Sequence, residues 1–203
     1  MEKRVLVPIA DGSEEIEAVT IIDGLRRAGA KVTVASVDHL QITASRGVRI
    51  TADCLIEDCV DQFYDLIALP GGMPGAEHLR DDPILKELLL KGYDAGCLCA
   101  AICAAPAVVL LPLGMLKNRS ATCHPSFWDL LKNKQAMKKP VVVDGNCITS
   151  QGPGTALAFT LALIELLYDK QKRDTVAGPM MVSLEWAAQP PWCPIGDRRQ
   201  RPR

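Results

Sequence analysis

Short apolar runs, each cut off by a turn and followed by a helical pattern, constrain this chain more than any other feature. Val5-Leu-Val-Pro-Ile9, Lys31 to Val37, Asp65-Leu-Ile-Ala-Leu69 and Cys97 to Cys103 are brief and mostly aliphatic. Strands covered on both faces read this way. Between them lie helical stretches. One runs from Glu14 to Ala28, with Ser13 as its expected N-cap and Gly29 as its stop. Another runs from Pro83 to Tyr93, a third starts at about Pro106, and Gly152-Pro-Gly-Thr155 opens a long apolar helix reaching about Tyr168. Ile42 to Ile50, with Ser45-Arg-Gly47 at its centre, reads as a hairpin, and two further strands fall around Val141–Asp144 and Cys147–Ser150. The repeated strand–helix order predicts an α/β fold: a three-layer sandwich around a mostly parallel sheet. In such sheets ligands sit beyond the carboxyl ends of the strands, where Gly71, Gly72 and Cys103 all fall.

With 203 residues, the chain suits one domain, taken here as 1–183, followed by a Pro-rich and then basic tail over 184–203 that reads as a mobile extension. Hydrophobic residues make up 48%, enough for a continuous core. A net charge of −1 without a basic stripe, and 4% aromatic residues, argue against nucleic-acid binding. No apolar stretch suits a membrane span. Met-Glu-Lys-Arg leads straight into the first strand, without the pattern of a secretory signal. The eight cysteines are therefore expected to be reduced thiols in a cytoplasmic setting. Cys97-Leu-Cys99 has no second pair at zinc-binding spacing, so no metal is expected.

Cys103 ends an apolar strand and Ala104-Ala-Pro106 follows at once. A thiol on a strand-to-helix turn resembles a nucleophile elbow, and a helix dipole there favours the reactive thiolate. A buried, inert cysteine is the plainer alternative. Glu17 lies four residues before Ile21 on the apolar stripe of the first helix. Burial there raises a carboxyl's pKa and makes it a hydrogen-bond donor or general acid/base; alternatively it serves the helix N-terminus electrostatically, as Glu14 and Glu15 do. Pro70-Gly-Gly72 is either a tight turn or a pair of backbone donors for an oxyanion, together with the amide of Ala104. Of three histidines, His39 and His78 read as surface residues, whereas His124, just before Pro125, is able to reach the strand-end rim.

Taken together these motifs resemble the ThiJ/PfpI superfamily, most closely its Parkinson-disease-protein (protein deglycase) branch. The likeness rests on Gly12-Ser-Glu-Glu-Ile-Glu-Ala18, Arg26-Arg-Ala-Gly29, Lys31-Val-Thr-Val-Ala35, Ser45-Arg46, Asp65 with Leu69-Pro-Gly-Gly72, Ala100-Ala-Ile-Cys-Ala-Ala-Pro106, His124-Pro125 and Thr149-Ser-Gln-Gly-Pro-Gly-Thr155. The resemblance implies a flavodoxin-like fold and a homodimer. It implies Cys103 as nucleophile, Glu17 as the buried acid beside it and His124 near the thiol. Gly71, Gly72 and Ala104 would be backbone donors, and Arg46 would lie near the dimer interface and pocket. No cofactor is implied. Ala104 stands where protease-like members carry a histidine, and His124-Pro125-Ser126 lacks the His-x-Glu of glutamine amidotransferases. Ala44 stands where some relatives have an additional cysteine. The implied activity is cofactor-independent conversion of 2-oxoaldehydes such as methylglyoxal, or deglycation of early adducts on proteins. The alternative is a redox sensor and stress chaperone acting through oxidation of Cys103; an interaction module is a third class.

Overall fold

The computed structural model describes residues 2–131 and 136–182. The tail at 184–203 and the end of the predicted domain at Ser183 lie outside the described residues.

A seven-stranded sheet carries the fold. Its strands are β1 (Arg4–Ile9), β2 (Lys31–Ser36), β5 (Cys54–Leu55), β6 (Leu66–Leu69), β7 (Leu98–Ile102), β8 (Val141–Asp144) and β9 (Cys147–Ser150), in the order β5-β2-β1-β6-β7-β9-β8. All neighbours are parallel except β8 and β9, which form an antiparallel edge. The remaining strands, β3 (Gln41–Thr43) and β4 (Arg49–Thr51), form the predicted hairpin. The five α-helices among the described residues are α1 (Glu15–Arg27), α2 (Gly75–Asp81), α3 (Pro83–Asp94), α4 (Ala156–Leu167) and α5 (Lys170–Ala177).

The period-two geometry of a strand splits the apolar residues of β1 between two cores. Val5, Val7 and Ile9 pack with Ile21 and Leu25 of α1 and Phe159 and Leu163 of α4. Leu6 points the other way, towards Leu79 of α2 and Leu85 and Leu89 of α3. Both faces of the sheet are thus covered, giving the expected three layers. Helix α1 approaches α4 closely because Gly24 has no side chain; a Cβ there would come within 2.3 Å of Thr160 Cγ2.

Two local expectations are corrected. Ser13 is not the cap of α1. Glu14 is, its carboxylate accepting from the Glu17 amide at 2.7 Å, while Ser13 Oγ accepts from the Ala10 amide and fastens the end of β1. An acidic cap one residue later serves the same orphan donors. The helix predicted from about Pro106 is a single wide turn, Pro106–Leu110, closed by the Leu111 amide on the Pro106 carbonyl. Pro112 then offers no N–H to continue it.

Candidate active site at the carboxyl rim of the sheet

Strand β7 ends at Ile102, and Cys103 turns sharply with φ of 64°, a conformation side chains with a Cβ seldom adopt. Two bonds hold the turn. The Cys103 amide donates to the Ser150 carbonyl at the end of β9 (3.0 Å), and its own carbonyl accepts from the His124 amide (2.7 Å). Ser150 is opposed to Ile102 in the parallel register, so the sheet itself aims the cysteine. The side chain is half-buried at the rim, neither sealed in hydrocarbon nor fully in water.

The loop after β6 comes against this turn because its glycines permit it. A Cβ on Gly71 would stand 2.5 Å from Cys103 Cβ, and one on Gly72 would stand 2.4 Å from the Gly12 carbonyl oxygen. Gly72 also has φ of +89°, where an L side chain is strained. Gly75 and Gly12 close the same junction, each too near the opposite backbone for any side chain. The loops after β1 and β6 are therefore locked together, carrying the start of α1 to the cysteine.

Glu17 is the product of that lock. It is fully buried, and its Oε2 accepts from the Gly71 amide at 2.8 Å. Its Oε1 is sealed from solvent and meets no donor in ordinary hydrogen-bond geometry among the described residues. Burial pushes the carboxyl up to about 7, against the Gly71 bond and with help from the Glu14 charge; the Cys103 thiol beside it pulls it down slightly. An orphan buried oxygen on a carboxyl poised near neutrality is what a proton donor and acceptor requires.

The thiol departs from expectation. Burial, and then the Glu17 charge, push Cys103 up to about 12, outweighing the amides of Gly72 and Ala104, which face the sulfur and favour its anion. The resting sulfur is thus not held ionised by a helix dipole. It keeps its proton beside a Glu17 that gives up its own at about 7. The states S–H with Glu17 ionised and S⁻ with Glu17 protonated carry the same net charge and differ only in where one proton sits.

The amides of Gly72 and Ala104 stand where expected. The Gly71 amide does not join them, because it is spent on Glu17. His124 is half-buried; its Nδ1 accepts from the Ser126 amide at 3.3 Å, leaving Nε2 to carry the ring proton. A Cβ on Gly152 would lie 3.7 Å from its Cδ2 and 4.0 Å from Glu17 Oε1, so ring and carboxyl border one small space. Arg46 is not brought to the sulfur within this chain. Its side chain is exposed on the β3–β4 hairpin, and its amide and Ser45 Oγ both donate to the Glu15 carboxylate. The Ser150 carbonyl and Gly75 were not predicted as site elements, and Gly152-Pro-Gly154 reads in the sequence as either a helix start or backbone donors; their places here arise from strand register and loop contact, for which the sequence carries no local signal. Among the described residues no cluster of three or more His, Cys, Asp or Glu is placed to hold a metal ion, and no helix is long and apolar enough to cross a membrane.

The sequence model of the DJ-1/PfpI family matches residues 3–166. Protein DJ-1 homologs B and A of Arabidopsis thaliana are each 43% identical over 89% of this chain, which spans 42% and 47% of their lengths. The chain thus spans about half the length of these relatives. The glutathione-independent glyoxalase DJR-1.2 of Caenorhabditis elegans is 34% identical over 88% of this chain and 95% of its own. A structure of oxidized Toxoplasma gondii DJ-1 is 47% identical and superposes with a TM-score of 0.87, covering 89% of this chain and 99% of the other.

Proposed function

The chain belongs to the DJ-1/PfpI family, and from that premise we propose that it is a cofactor-independent cysteine enzyme acting on reactive 2-oxoaldehydes or on the early adducts they form with proteins. The observation that carries the reading is the Glu17–Cys103 pair: a buried carboxyl near neutrality, one oxygen of which meets no donor in ordinary geometry among the described residues, against a half-buried thiol. The similarity to a protein named as a glyoxalase supports the same class.

With methylglyoxal, the Cys103 proton passes to ionised Glu17 as the sulfur attacks the aldehyde carbon, and Glu17 returns it to the alkoxide oxygen, giving a hemithioacetal and an ionised carboxylate again. The Gly72 and Ala104 amides border the sulfur and are the nearest donors for the oxygen that gains charge. Glu17 then moves a proton from the former aldehyde carbon to the neighbouring ketone carbon through an enediol, leaving a thioester of a 2-hydroxy acid. Water hydrolyses the thioester, releasing lactate and restoring the thiol. The reaction adds one water and needs no external oxidant or reductant. The His124 ring, beside Glu17, assists the proton transfers. Cys103→Ala and Glu17→Leu are each expected to abolish lactate formation from methylglyoxal; retained lactate in both variants would overturn the mechanism.

A second reading uses the same sulfur as a redox sensor. The amides of Gly72 and Ala104, with a protonated Glu17, form a set of donors suited to a sulfinate. Selective addition of two oxygens at Cys103 under mild peroxide, with no methylglyoxal turnover, would favour it. In either case we propose a homodimer. Ile16 and Val19 of α1 and Val48 of the hairpin are each about half exposed, at 56%, 50% and 49%, and a second copy would cover them.

A further inference from the structure

A second pair of thiols lies away from Cys103, at the edge of the sheet. Cys54 is in β5, paired to β2 through the Ala35–Cys54 register, and Cys59 ends the single 3₁₀ turn Ile56–Cys59 that follows. Their sulfurs are 3.8 Å apart, in van der Waals contact. Cys54 is half-exposed, whereas Cys59 is fully buried, its thiol directed at the Leu55 carbonyl at 4.0 Å. The remaining described thiols away from the active site, Cys97, Cys99, Cys123 and Cys147, are all buried. The Cys54–Cys59 pair therefore joins one thiol within reach of solvent to one positioned only to meet it.

We propose that Cys54 and Cys59 form a reversible intramolecular disulfide under hydroperoxide, a modification site separate from Cys103. The Cys54 thiolate attacks the terminal oxygen of the hydroperoxide, giving a sulfenic acid and releasing an alcohol, or water from hydrogen peroxide. Cys59 then attacks the Cys54 sulfur, forming the S–S bond and expelling water. Two thiols are oxidised as one peroxide is reduced, and a small dithiol returns the pair to its starting state. A disulfide holds its sulfurs ~2.0 Å apart. The two cysteines bracket one turn at the sheet edge, with only Cys54 in a strand ladder, so side-chain rotation and a small shift of the turn bring them together. Burial and the neighbouring Cys59 push Cys54 up to about 12, with Asp58 and Asp53 adding to the effect. Few molecules carry the thiolate at neutral pH, so the pair answers to sustained rather than brief oxidant.

Trypsin releases both cysteines in one peptide, residues 50–80, which holds no other cysteine. The full-length chain carrying Cys103→Ala, and the unsubstituted chain in parallel, would be treated with hydrogen peroxide, freed of excess peroxide, alkylated with N-ethylmaleimide in denaturant so that buried Cys59 is reached, and digested without reductant. The expected result in both is loss of alkylation at both positions and a peptide lighter by two hydrogens, reversed by dithiothreitol. In Cys59→Ser, Cys54 should instead run on to sulfinate. In Cys54→Ser, whose substituted side chain is half-exposed and tolerant of change, Cys59 should remain an unmodified thiol. Alkylation of both thiols after exposure that oxidises Cys103 in the unsubstituted chain would overturn the proposal. So would over-oxidation of Cys54 with Cys59 intact, or a disulfide between two chains.

Discussion

Strand β7 holds one cysteine near its amino end and delivers a second just past its carboxyl end, and they live in different chemistry. At its amino end Cys99 lies fully buried, in register with Ile67 of β6 and Cys147 of β9, its thiol directed at the Cys97 carbonyl. The Cys97 sulfur and burial push it far up, and among the described residues no carboxyl acts on it. Four residues later Cys103 leaves the ladder in a strained turn, half-exposed, with two amides and a buried carboxyl against its sulfur. Same residue, same strand, both raised by burial: the difference is the proton acceptor. A buried thiol alone can only stay protonated, whereas a thiol sharing a site with Glu17 can hand its proton over without changing the charge of the site.

The largest effect expected from this contrast is on turnover. Cys103→Ala should lower methylglyoxal consumption on the order of a thousandfold or more, while Cys99→Ala should leave the rate within about twofold and cost about 1–2 kcal/mol of stability as a core truncation. Lactate assays and denaturant melts on both variants separate the two ends. If Cys99→Ala were equally inactive at full stability, the distinction would fail.

Next comes the lock that delivers Glu17. Gly72→Ala places a Cβ within 2.4 Å of the Gly12 carbonyl at a φ of +89°, and should destabilise the fold by roughly 2–4 kcal/mol. A shift of the denaturation midpoint measures it. The same variant should also lower lactate formation in the remaining folded protein, because the carboxyl no longer seats.

The pH dependence sharpens the comparison further. Removing one proton from the Glu17–Cys103 pair makes the thiolate form accessible, so iodoacetamide should label Cys103 with a rate that climbs through about pH 7 and then levels. Cys99 should stay unlabelled until the protein unfolds. In Glu17→Leu the levelling near pH 7 should vanish and the rate should go on climbing into alkaline pH, because the charge that holds the Cys103 proton in place is gone. Stability moves the opposite way. The folded pKa of Glu17 lies above its ordinary value of 4.5, so its contribution to stability is complete below pH 4.5 and is lost as pH rises through about 7. Linkage sets this loss at about 3 kcal/mol. Glu17→Gln should therefore raise the melting temperature at pH 8 but not at pH 4. A carboxyl that weakens the fold at working pH fits a group kept for chemistry.

The smallest effect belongs to His124, which borders Glu17 without bonding to it. His124→Ala should cost about tenfold in turnover with little change in stability.

Much of this was legible in the chain. The aliphatic runs gave the strands, because a strand covered on both faces admits few polar residues. Gly29 and the Ser45–Gly47 turn marked ends that the structure keeps, with both glycines at positive φ. Glu17 stood out because a carboxylate on an apolar helical stripe is costly unless it has a use. Other features were hidden. That Glu14 rather than Ser13 caps α1 depends on where Ser13 is pulled by the end of β1. That Arg46 stays outside the pocket of its own chain depends on the Glu15 anchor of the hairpin.

What the sequence determined by itself was the set of parts: an α/β sandwich, a cysteine at a strand end, an acid on a buried face and glycines at a neighbouring turn, since periodicity and residue chemistry are local properties. Tertiary structure alone decided their electrical state. Whether the sulfur rests as thiol or thiolate, and which amide serves Glu17 rather than the sulfur, follow from desolvation and from distances across loops more than fifty residues apart in the chain. Those quantities do not exist until the strands are in register.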